Sequence, residues 1–72
     1  MKTYTLYDYK MVLPRFAVES IVMSMGFTQD RVQVSTLALD IVIQFRHEVD
    51  AIMFELLGGI RYVINKAWDL VD

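Results

Sequence analysis

The sequence contains no cysteine, one proline, three glycines and one histidine in 72 residues. Without cysteine the chain has no disulfide scaffold, no thiolate zinc site and no thiol nucleophile. The glycines, at positions 26, 58 and 59, form no phosphate-binding loop of the Walker or dinucleotide type. His47 precedes Glu48, but Ala51 stands where a helical zinc motif needs a second histidine. We therefore expect a protein that is not an enzyme and that holds no metal or cofactor.

Long uncharged runs are missing as well. The longest segment without Asp, Glu, Lys or Arg covers only residues 20–29, whereas a membrane-spanning helix needs about 20 apolar residues. The first five residues lack the apolar segment of a secretory signal peptide. These features predict a cytoplasmic protein with no transmembrane segment.

Apolar residues, in contrast, are in surplus. They make up 56% of the chain, and the formal net charge is −2. A domain of about 60 residues buries only about 60% of the surface that its unfolded chain exposes, so one small core cannot enclose them all. Because no repeat or linker divides residues 1–72, we expect a single domain. The surplus favours either self-association or a hydrophobic surface that binds another protein.

The spacing of the apolar residues predicts an all-α fold, a small bundle of three to four helices. Pro14 suits the first turn of a helix over 14–25, and Gly26 suits the position after its end. Spacings of three and four then predict one long helix over 36–57, which Gly58-Gly59 breaks or kinks before a last helix. Its predicted buried stripe consists of Ala38, Val42, Phe45, Val49, Ile52 and Leu56, and it is widened by Ile41, Met53 and Leu57.

Two segments allow more than one interpretation. The first 13 residues are an extended arm or contain a short strand, Lys2–Tyr7, because Thr and Tyr favour extended backbone. The other strand candidate is Arg31–Ser35. It competes with a short helix over Thr28–Val34, for which Thr28 is a suitable N-cap.

The predicted long helix also carries apolar residues on its polar side. Ile43 and Phe54 fall among acidic residues and His47 there, and tyrosines are enriched at binding hot spots. We therefore expect a second contact surface outside the core. The candidate partner-binding residues are Tyr4, Tyr7, Tyr9, Ile43, His47, Asp50 and Phe54.

These observations predict a small protein that binds another protein stoichiometrically and has no catalytic activity. Inhibitors and adaptors of larger protein machines have this size and composition, including phage and mobile-element proteins directed at host defence or transcription. A second copy of the chain is a further expected partner, packed through the 36–57 helix.

One segment resembles the helix-turn-helix of DNA-binding proteins, because Gly26, Phe27, Thr28 and Val32 follow the order of its turn. The resemblance implies a regulator whose second helix enters the major groove. It would place there the side chains of Gln29, Arg31 and Gln33. The net negative charge and the absence of a basic stripe disfavour nucleic acid as the partner, so this interpretation is the alternative.

A second resemblance is to ubiquitin-associated domains, which are three-helix binding modules. Met25-Gly26-Phe27 is similar to their first loop, and Leu56-Leu57 is similar to the end of their third helix. This resemblance implies a small helical module and is the weaker alternative.

Overall fold

A computed structural model describes residues 1–71 of the chain. It contains three strands and three helices, so the predicted all-α bundle is wrong and the fold is mixed α/β. The elements are, in order, β1 (Lys2–Leu6), α1 (Arg15–Ser24), β2 (Val32–Leu37), β3 (Asp40–Phe45), α2 (Glu48–Leu56) and α3 (Gly59–Val71).

The three strands form one antiparallel sheet in the order β1-β3-β2, with β3 in the centre. Ile43 of β3 lies between Tyr4 of β1 and Val34 of β2, and these three side chains share the inner face. Along β3, half-buried residues alternate with fully buried ones, as expected for a strand with one face on the core. The extended interpretation of residues 2–6 and 32–35 is therefore confirmed, although β3 separates the two strands.

The predicted helix over 36–57 is wrong, because its first half forms the end of β2, a turn and β3. Ala38, Val42 and Phe45 fit a helical spacing, but Ile41, Ile43 and Phe45 fit a spacing of two equally well. The β-branched residues of 41–43 favour the strand. No Asn-Gly or Gly marks the two-residue turn between the strands, so the usual signal of a hairpin is missing.

The hairpin turn places Ala38 at a φ of 55°, in the left-handed region that alanine rarely adopts. Leu37 and Asp40 pair across this turn. We expect Ala38→Gly to raise the free energy of unfolding by about 0.5–1 kcal/mol, because relief of strain exceeds the entropic cost of glycine. Thermal unfolding followed by circular dichroism would show a Tm a few degrees higher. Leu39→Gly is the control, since Leu39 has no positive φ; an equal gain there would contradict the explanation.

The helices cover the inner face of the sheet. Helix α1 packs against β2 and α3 and buries Ala17, Val18, Ile21 and Val22. Its bounds confirm the helix predicted over 14–25, and Gly26 follows it with a φ of 103°. Helix α2 packs against α3 and β3.

Gly58 separates α2 from α3. Its φ is 119°, and a Cβ atom built there would lie 2.6 Å from the Cβ of Tyr62, closer than real Cβ atoms approach. Only glycine fits this position. Because its φ is positive, the helical backbone is interrupted here, and the chain forms two separate helices rather than one kinked helix.

The fold is neither that of a helix-turn-helix protein nor that of a ubiquitin-associated domain. After Gly26 and Phe27 the chain passes through a turn at residues 29–31 and enters β2. The short helix considered over Thr28–Val34 does not form, so there is no recognition helix. A three-stranded sheet is likewise incompatible with the three-helix ubiquitin-associated fold.

Candidate functional site

Ile43 and Phe54, predicted as exposed contacts, are both 0% exposed. Ile43 lies on the inner face of the central strand, where the alternation of side chains directs it into the core. Phe54 lies on the buried side of α2, which begins at Glu48 and not at residue 36. The expectation that these two side chains lie outside the core is therefore wrong.

Phe54 belongs to an aromatic cluster, which we define as Tyr4, Phe27, Phe45 and Phe54. The ring centroids of Phe45 and Phe54 are 4.9 Å apart, and those of Tyr4 and Phe54 are 5.1 Å apart. The ring of Phe27 lies 5.2 Å from that of Phe45. Such tilted and edge-to-face pairs stabilise a core beyond the area they bury. The cluster joins α2 to the sheet and to the loop after α1.

Tyr4 takes part in this cluster through its ring, while its hydroxyl group is buried and has no hydrogen-bond partner among residues 1–71. Burial, followed by the neighbouring Glu55 carboxylate, raises the pKa of the Tyr4 phenol to about 12. The ammonium group of Lys2 lies 5.6 Å from the centroid of the ring. Tyr4 therefore faces the core and is not part of an exposed arm.

The other two candidate tyrosines, Tyr7 and Tyr9, lie beside the hairpin turn. The backbone N–H of Asp8 donates to Oδ1 of Asp40 at 2.8 Å, and the N–H of Lys10 donates to the carbonyl of Leu39 at 2.9 Å. Tyr7 is 72% exposed, whereas Tyr9 is half-buried against the core. The arm is thus fixed along the β2–β3 hairpin, and only Tyr7 presents most of its surface to solvent.

Asp50 is only 4% exposed and is bound within the chain. The Arg31 side chain donates two hydrogen bonds to it, from Nε to Oδ2 at 3.0 Å and from Nη2 to Oδ1 at 2.5 Å. This bidentate pair is the strong form of an Arg–carboxylate contact, and it attaches α2 to the start of β2. His47, three residues earlier, is exposed and makes no capping hydrogen bond to α2.

The structure brings together the three residues of the DNA-binding alternative. They line a hollow of about 140 Å³ at one end of the sheet. The guanidinium of Arg31 is held by Asp50, and Asp30 adds a negative charge to the same wall. A hydrogen bond from Thr28 holds the pKa of the Asp30 carboxyl below its ordinary value. The negative charges of the Asp30 and Asp50 carboxylates would repel a phosphate ligand. The lining residues are Met1, Gln29, Asp30, Arg31, Val32, Gln33, Gln44 and Arg46.

The surface that sequence reasoning missed is the outer side of α2. Its five apolar side chains were predicted to be buried, yet each is between 45% and 77% exposed. The opposite side of the same helix is also apolar, with Ala51 and Phe54 buried. A helix that is apolar on both sides normally has both sides covered. We call the exposed side the α2 face; it consists of Val49, Ile52, Met53, Leu56 and Leu57.

The signal for this surface is present in the sequence. Residues 49, 52, 53 and 56 form one apolar stripe at helical spacing, while 51 and 54 form a second stripe on the other side. A long continuous helix could place only the first stripe in the core. The short helix that forms instead buries the second stripe.

Comparisons of the chain with protein-family models, with curated proteins and with solved structures find no match. Within residues 1–71, no group of three or more His, Asp or Glu side chains is arranged to hold a metal ion. No helix in that range has the length and apolar character needed to cross a membrane.

Proposed function

We propose that this chain is a small, non-catalytic protein-binding protein of the cytoplasm and that the α2 face is its docking surface. In this proposal it acts stoichiometrically, as an inhibitor or adaptor of a larger protein machine. The observation that carries the proposal is the exposure of five adjacent apolar side chains on a single short helix.

The size of the α2 face supports the proposal. Five large apolar side chains, each about half exposed or more, amount to roughly 500 Å² of apolar surface, which equals the largest patch on a typical monomer. The largest apolar patch on a monomer is often functional. The exposed carboxylates Glu48 and Glu55 border the patch along one edge of the same helix, and a polar border around an apolar centre is typical of a protein interface.

The attachment of α2 supports it further. Phe54 anchors the helix in the aromatic cluster, and Asp50 anchors its first turn to Arg31. A partner would therefore meet a helix whose position is already fixed. Binding to a preorganised surface loses less conformational entropy than binding to a mobile segment.

Ile52→Asp and Leu56→Asp test the docking surface. Both side chains are more than half exposed, so we expect the variants to keep the circular dichroism spectrum and to lose bound partner proteins. Asn65→Asp is the matched control, because it adds a carboxylate at an exposed position of α3. The measurement is quantitative mass spectrometry of proteins captured from native cells, followed by titration calorimetry of the captured protein.

The expected result is a protein that wild type and Asn65→Asp retain, that both α2 variants lose, and that binds with a simple molar ratio. Equal capture by all four chains would contradict the docking role of α2. Conversion of the captured protein, with turnover, would contradict the stoichiometric mode of action.

A further inference from the structure

We draw no further inference here: the strongest candidate, the exposed apolar side of α2, belongs to the site already described, and nothing in the structure shows what covers it.

Discussion

Phe54→Ala is expected to lower the free energy of unfolding by about 3–5 kcal/mol. The ring is fully buried and contacts the rings of Tyr4, Phe27 and Phe45. Truncation removes apolar contacts and leaves a cavity in the middle of the aromatic cluster. A chain of 72 residues has roughly 4–11 kcal/mol of stability in total, so this single change removes a large part of it.

The measurement for Phe54→Ala is urea denaturation followed by circular dichroism. Phe16→Ala is the matched control, because the Phe16 ring belongs to the same residue type but is 66% exposed on α1. We expect the control to change stability by no more than about 0.5 kcal/mol. Similar losses for both variants would show that the aromatic cluster is not the centre of the core.

The second large effect is expected for Arg31→Ala, which should lower the free energy of unfolding by about 2–3 kcal/mol. The substitution leaves the buried Asp50 carboxylate without its two donors. Loss of one partner of a fully buried pair costs about 3–5 kcal/mol. Here the Arg31 side chain is 46% exposed, so water can enter beside the carboxylate and reduce the penalty.

Two further variants distinguish the loss of this ion pair from a general effect of removing a positive charge. Arg46→Ala removes an arginine that lines the same hollow and forms no ion pair among residues 1–71, so it should change stability by less than about 0.5 kcal/mol. The double variant Arg31→Met/Asp50→Leu should recover much of the loss, because apolar residues of similar volume can replace a buried pair. Equal losses in Arg31→Ala and Arg46→Ala, measured by urea denaturation, would refute the assignment.

Sequence reasoning succeeded where the signals were local. Pro14 and Gly26 mark both ends of α1, and the apolar stripe between them has a single period. It failed over residues 36–45, where two periods coexist and the turn at Ala38 contains no glycine. The decisive contact there is nonlocal, since β3 pairs with a strand nearly forty residues earlier in the chain.

The same failure determined what could be predicted about the candidate site. Placing residues 36–57 in one helix directed Val49, Ile52 and Leu56 inward and Phe54 outward, which reverses their actual positions. The prediction that Tyr7 is exposed depended only on the local sequence of the arm. The contact between Arg31 and Asp50 depends on a separation of 19 residues, and neither side chain indicates the other in the sequence.

The strand order also has a consequence for biosynthesis. β1 and β2 have no contact as sheet partners until β3 is inserted between them, and β3 is the last of the three strands to leave the ribosome. A nascent chain that ends before Asp40 can form α1 but cannot pair any strand with β1, because every partner of β1 lies in β3. The apolar residues of β1 and β2 therefore stay without sheet partners until residues 40–45 have emerged.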